Sequence, residues 1–210
     1  MIKAAGFVTA GGASSRMGRD KAWLEIDGQS MIERVIAALW PVTSSVSVIA
    51  NRREYERLGL PVFADENVGI GPLEAIRVAL ANTEAPQVVL AGCDMPFVTP
   101  ELFRFLLDLS APYQAVVPLN AEGRLEPLCA VYATNALATV TELIGVGARK
   151  VSLLFERISI RRVRFDELRH LQSAGLFFEN VNTVQEYARA VERLEAMEKI
   201  GELRAKLPKN

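Results

Sequence analysis

The chain has 210 residues, half of them hydrophobic and 23% charged, with a formal net charge of -1. That composition suits an ordinary folded domain with a substantial core, and it excludes the broad electrostatic pull that draws basic proteins to nucleic acid or anionic membranes, so any phosphate binding must be local. Nowhere is there an apolar run long enough for a secretory signal or a membrane span, the cysteines Cys93 and Cys129 form no CxxC pair, and the single histidine, His170, lacks the neighbours of a zinc site or a triad; a cytoplasmic protein with neither nucleic-acid nor membrane partners is expected.

Ala4 to Ala10 is a short apolar run closed by Gly11-Gly12, as in a strand buried inside a parallel sheet. Ile32, Val35, Ile36 and Leu39 recur at helical spacing, with Ser30 as N-cap, Glu33 three residues on and Pro41 closing the helix. Val46 to Ala50 reads as the second strand, Glu54 to Leu58 as a short helix and Pro61 to Ala64 as the third strand. Pro72 suits the first turn of a helix running to about Leu80. Gln87 to Gly92 is the most strand-like run and ends at Cys93-Asp94, Pro100 opens a helix through Leu107, and Ala115 to Pro118 is the next strand. Strand and helix alternate roughly every 20 to 25 residues, the mark of βαβ units in a doubly wound sheet. After Pro118 the rhythm changes: Leu125 to Tyr132 and Ile158 to Phe165 read as strands forming an antiparallel edge or a small ribbon. Thr183 to about Met197 reads as a helix with Val184, Tyr187, Ala188 and Val191 along one side. With no repeat or long linker, residues 1–190 read as one domain, followed by a charged helical extension over 191–210.

The loop after the first strand carries the chemistry. Gly11 to Lys21 reads GGASSRMGRDK and begins where open α/β sheets bind ligands, at the carboxyl end of a strand. Adjacent glycines let backbone N–H groups approach an anion. Ser14 and Ser15 add hydroxyl donors, and Arg16 and Lys21 add a planar guanidinium and a point-charge ammonium. This is the equipment for a polyphosphate. A Walker A loop is excluded, because the fifth position after Gly11 is Arg16 and after Gly12 is Met17. A carboxylate at the tip of the buried strand Gln87 to Gly92, Asp94, is well placed to hold Mg²⁺ against a triphosphate, since that ion uses one or two carboxylates plus phosphate oxygens and water. Asp65 ends the third strand just before Gly71-Pro72-Leu73.

The segment TAGGASSRMGRDKAWLEIDG resembles the signature loop of the molybdenum cofactor guanylyltransferases, the MobA family, with Thr9 in place of the usual Leu. The resemblance extends over about residues 3–190 through the Gly71-Pro72-Leu73, Cys93-Asp94-Met95-Pro96 and Asn180-Val181-Asn182-Thr183 elements. It implies a Rossmann-like three-layer nucleotidyltransferase fold with a mostly parallel sheet. Thr9, Ala10, Gly11, Gly12, Lys21, Asp65 and Asp94 would then bind GTP, with Arg16, Lys21 and Asp94 catalytic and Asp94 the Mg²⁺ ligand. Asp65 would face either the guanine N1–H and N2–H₂ donors or a ribose hydroxyl; sequence leaves both open. The family often carries an Asn near the end of the second strand, where this chain has Ile49, with Asn51 two positions on; Ala75-Ile76 replaces a usual glycine. Arg124 to Leu128 resembles an acceptor-side segment, and Asn180 and Asn182, on one side of an extended stretch, would offer donors and acceptors to a pterin. A basic pair, Arg149-Lys150, would meet the acceptor phosphate or solvent.

The implied reaction is transfer of GMP from GTP to the phosphate of (molybdo)molybdopterin, with release of pyrophosphate, in a protein working beside other molybdenum cofactor enzymes. Alternatives are a cytidylyl- or sugar-phosphate nucleotidylyltransferase, or a non-catalytic GTP-binding scaffold for cofactor insertion.

Overall fold

The computed structural model describes residues 3–11, 20–66, 69–171, 173 and 175–205. Nine strands are named in chain order: β1 (Ala4–Thr9), β2 (Glu25–Ile26), β3 (Gln29–Ser30), β4 (Ser45–Ile49), β5 (Val62–Phe63), β6 (Gln87–Gly92), β7 (Ala115–Pro118), β8 (Cys129–Ala133) and β9 (Ile160–Val163). The α-helices are α1 (Met31–Leu39), α2 (Pro72–Ala81), α3 (Pro100–Asp108), α4 (Leu137–Gly145), α5 (Val151–Arg157) and α6 (Val184–Ala205). A seven-stranded sheet has the order β5-β4-β1-β6-β8-β7-β9, and β2 and β3 form a separate hairpin.

Alternation along the strands explains the layers. In β1, Ala4 and Val8 face one cluster while Ala5 and Phe7 face the other, and in β6 Val89 and Ala91 oppose Val88 and Leu90. Both faces are apolar, so both must be covered. Ile32, Val35, Ile36 and Leu39 of α1 and Leu102, Phe103 and Leu106 of α3 cover the first. Leu73, Ile76 and Leu80 of α2, Val140 and Leu143 of α4 and Leu154 and Phe155 of α5 cover the second. The Ser30 cap read from the sequence is in place, its N–H donating to the Glu33 carboxylate at 3.0 Å, and at α3 the Leu102 N–H donates to Thr99 Oγ1 at 3.3 Å. Pro72 and Pro100 each open a helix.

β1 pairs in parallel with both β4 and β6, so the strand order reverses beside β1 and opens a crevice beyond its carboxyl end. β8 supplies the antiparallel component, lying between β6 and β7 and antiparallel to both. β9 takes the outer position and runs parallel to β7. The residues around Glu54 to Leu58 form a 3₁₀ turn, Arg53–Leu58, instead of an α-helix.

A third cluster joins α6 to the hairpin: Leu24, Ile26, Met31, Phe97, Val181, Ala190 and Leu194. Here the face of α6 differs from the expected one. Tyr187, Ala190, Val191 and Leu194 pack inward, whereas Val184 is 63% exposed and Ala188 is exposed. Spacing alone admits either stripe; the hairpin lying against the helix selects the second. α6 continues through residues 190 and 191 without a break. No helix among the described residues is long and apolar enough to cross a membrane.

Candidate active site

Backbone hydrogen bonds stitch four strand ends into a floor. The Cys93 N–H donates to the Thr9 carbonyl at 3.0 Å, the Ala10 N–H to Ile49 at 2.9 Å, and the Gly92 N–H to Leu128 at 2.7 Å. Gly11 then leaves β1 with φ +92°, a conformation glycine adopts without strain. Above this floor lies a cavity lined by Thr9, Ala10, Gly11, Lys21, Asp65, Cys93 and Asp94, and also by Ile49, Asn51 and the start of α2 at Gly71, Pro72 and Ala75. Gly12 and Arg16 lie outside the described residues.

Lys21 and Asp94 meet in this cavity. The Lys21 ammonium donates to Asp94 Oδ2 at 2.8 Å and to Asn182 Oδ1 at 2.6 Å, joining residues from three distant parts of the chain. The side chains of Lys21 and Asp94 are 14% and 23% exposed, so they can still meet a ligand. Gly92 makes room for the carboxylate: a Cβ there would stand 2.5 Å from Asp94 Oδ1. Among the described residues no group of three or more His, Cys, Asp or Glu could enclose a metal. A lone carboxylate beside a lysine ammonium fits an ion that would draw its remaining ligands from substrate oxygens and water.

The residue before Lys21 has a structural task that its place in the motif did not reveal. Asp20 is nearly buried and caps the 3₁₀ turn Lys21–Trp23 through the Ala22 N–H at 3.1 Å. Its other oxygen accepts from the Tyr55 hydroxyl at 2.6 Å and from Arg52 at 3.3 Å. Burial first, and then the Asp20 carboxylate, push the Tyr55 hydroxyl pKa well up, so it stays a donor. Trp23 stacks on Tyr55, centroids 5.3 Å apart, with the Arg57 guanidinium 3.4 Å over the ring. The base of the loop, and with it Lys21, is thus anchored to the 3₁₀ turn that follows β4.

Asp65 Oδ1 is buried with no hydrogen-bond partner among the described residues. Burial, and secondarily the Glu74 carboxylate, raise its pKa above the ordinary aspartate value, with Arg77 opposing. Glu74 and Arg77 fix the loop from beneath: Arg77 donates to both Glu74 oxygens, at 2.9 and 2.7 Å, and to Glu66 at 2.6 Å, while the Glu66 N–H donates to Glu74 at 3.2 Å. The Asp65 N–H donates to Asn51 Oδ1 at 2.7 Å. Asn51 therefore belongs to the cavity together with Ile49; its amide type was the sequence signal, but alignment along the strand favoured Ile49.

Two further segments border the site. Glu126, within Arg124 to Leu128, accepts from the Asn120 amide at 2.8 Å. Burial raises its carboxyl pKa; Asn120 and Arg124 oppose that shift, and the Asp94 charge adds to it, which puts Glu126 within electrostatic reach of Asp94. On the other side, the Val181 N–H donates to the Asp94 carbonyl at 2.9 Å. This brings Asn182 to Lys21, whereas Asn180 lines a second recess with Glu179, Arg189 and Arg193, its Oδ1 buried and unpartnered among the described residues. Thr183 caps α6, accepting from the Glu186 N–H at 3.2 Å. Arg149 and Lys150 precede α5 and line neither recess. His170 is exposed, packed edge-on to Phe105, and both cysteines are buried free thiols.

Comparison with known proteins bears on this geometry. The MobA-like NTP transferase domain matches residues 6–160. A protein from Pelotomaculum thermopropionicum named a probable molybdenum cofactor guanylyltransferase is 35% identical over 90% of this chain and 93% of its own length. One of the same name from Carboxydothermus hydrogenoformans is 32% identical over 86% and 91%. The crystal structure of molybdopterin-guanine dinucleotide biosynthesis protein A from Archaeoglobus fulgidus, 27% identical, superposes with a TM-score of 0.78 over 91% of this chain and 99% of that one.

Proposed function

The chain belongs to the MobA-like NTP transferase family and is a nucleotidyltransferase of the MobA type, and from that premise we propose that it transfers GMP from GTP to the phosphate of (molybdo)molybdopterin, releasing pyrophosphate. The observation that carries this reading is the Lys21–Asp94 pair at the carboxyl ends of β1 and β6, in one cavity with Asp65.

An ionised acceptor phosphate is already a nucleophile, so no side chain need remove a proton. Its oxygen attacks the α-phosphorus in line, and the bond from that phosphorus to the α–β bridging oxygen breaks, its electron pair leaving with pyrophosphate. The chain's contribution is positioning and charge stabilisation. Lys21, with Arg16 of the same loop, neutralises the β- and γ-phosphates as charge moves onto the leaving group. Asp94 would hold Mg²⁺, which when bound supplies further neutralisation at the phosphate oxygens. The floor of Thr9, Ala10 and Gly11 bounds the nucleoside. Asp65 Oδ1, buried without a partner among the described residues, supports a role in accepting donors from the nucleoside, because a buried acceptor left unmatched is costly.

The test is pyrophosphate release by purified protein given acceptor and Mg²⁺ with GTP or CTP. Release with GTP and little with CTP is the expected outcome. Preference for CTP would reassign the base, and nucleotide binding without release from either would favour a scaffold.

A further inference from the structure

The acceptor-side resemblance would spend Asn182 on the pterin, but its amide oxygen is hydrogen-bonded to the Lys21 ammonium at 2.6 Å. We infer that Asn182 is a positioning residue for the nucleotide, acting through Lys21 by fixing where the ammonium points. This rests on the nucleotidyl-transfer reading of the cavity and deepens it.

An ammonium has three donors and no directional preference of its own on a flexible stem. Among the described residues two of the Lys21 donors are taken, by Asp94 Oδ2 and Asn182 Oδ1, and the third remains for a phosphate oxygen. These two acceptors differ in kind. Asp94 is charged and carries the second commitment argued above, to a metal; Asn182 is neutral. A lysine held by Asp94 alone would follow that carboxylate as it turned toward a cation, and its charge would be largely spent there. Asn182 anchors the ammonium without neutralising it.

Asn182 can do this because its backbone is fixed independently of its side chain. The Val181 N–H is bonded to the Asp94 carbonyl, and the Asn182 and Thr183 N–H groups both donate to Glu186, at 2.8 and 2.9 Å. Val181 itself is buried in the cluster that joins α6 to the hairpin after Lys21. Both ends of the Lys21–Asn182 bond are therefore held by one packed unit, and truncating the amide leaves the cap of α6 intact.

The experiment measures GTP affinity by calorimetry with Mg²⁺ and no acceptor present, for wild type, Asn182→Ala, Lys21→Ala and the double variant, each checked for an unchanged melting profile. Loss of a charge-assisted hydrogen bond predicts about tenfold weaker GTP binding by Asn182→Ala. In the Lys21→Ala background the same change should add nothing, since the interaction it removes is already gone. Unchanged GTP binding by Asn182→Ala, or an equal loss in both backgrounds, would overturn this inference alone. Wild-type protein that bound no nucleoside triphosphate would overturn the nucleotidyl-transfer reading as well.

Discussion

On the proposed nucleotide side of the cleft, Thr9, Ala10, Cys93 and Leu128 stand at the ends of strands whose backbones are bonded to one another, over a sheet covered on both faces. On the other side of the cleft, Asn180 and Asn182 stand on a segment outside the sheet, tied down by the Val181 to Asp94 bond and by the cap of α6. The first side inherits its rigidity from the fold. The second is assembled from residues far apart in sequence and rests on the packing of α6 against the hairpin, so its rigidity comes from side chains and caps instead of strand pairing. Charge placement draws on both sides, Asp94 standing on the first and Asn182, through Lys21, on the second.

The largest effect that could break this contrast is removal of the charges on the rigid side. Lys21→Ala and Asp94→Ala should each lower turnover by about 10²–10³-fold, the usual loss when one preorganised charge-stabilising group is removed, with melting nearly unchanged. Steady-state pyrophosphate release would check this, and near-normal turnover by either variant would remove the pair from the chemistry. Gly92→Ala keeps every charge but sets a methyl group where Asp94 Oδ1 lies. If the strand ends position the carboxylate, misplacement on the scale of an ångström should cost roughly 10²-fold in kcat; a smaller loss would show that the carboxylate adapts.

A subtler test uses pH. Burial raises the Asp65 pKa, so on acidification it protonates before an ordinary aspartate and becomes a donor where the proposed nucleoside contact calls for an acceptor. GTP affinity should therefore fall on the acid side, earlier than an unshifted carboxylate would give, and Asp65→Asn should remove that dependence while weakening GTP binding by about 1.5–3 kcal/mol. Because the folded pKa is raised, the stability contribution of this group is present at low pH and lost as pH rises through the folded value. Binding and stability should thus respond to acid in opposite senses at this residue, which calorimetry and melting followed upward from the ordinary aspartate value, about pH 4, would compare. The smallest effect concerns the second side. Thr183→Ala removes the acceptor for the Glu186 N–H and should cost about 1 kcal/mol, visible as faster hydrogen exchange in the first turn of α6 with no change at β1 or β6.

The same contrast explains what could be read from the sequence. β1, β6 and the openings of α1, α2 and α3 were legible because apolar runs, cap residues and proline act locally. Asp65 and Asp94 were legible as strand-end residues and Lys21 as the end of the loop after β1, and they do line one cavity. The hairpin of β2 and β3 is two residues per strand, too short to leave a periodic trace. The inward face of α6 depended on that hairpin, and the partnership of Asp20 with Tyr55 on the approach of a 3₁₀ turn 35 positions away. Asn51 lay two positions off the expected place and Glu126 inside a segment read only by resemblance; their partners, the Asp65 N–H and the Asn120 amide, are set by the folded chain.

One reversal of direction has a wider consequence. β8 runs against its neighbours, with Cys129 paired to Ala91, so the chain enters that strand at the same end of the sheet where β1 and β6 leave theirs. The turn from Asn120 to Arg124 is therefore an inlet: residues could be added or removed there without shifting the register of any parallel strand. Editing that turn would alter the approach to Glu126 and Leu128 while leaving the ends of β1 and β6 as they are.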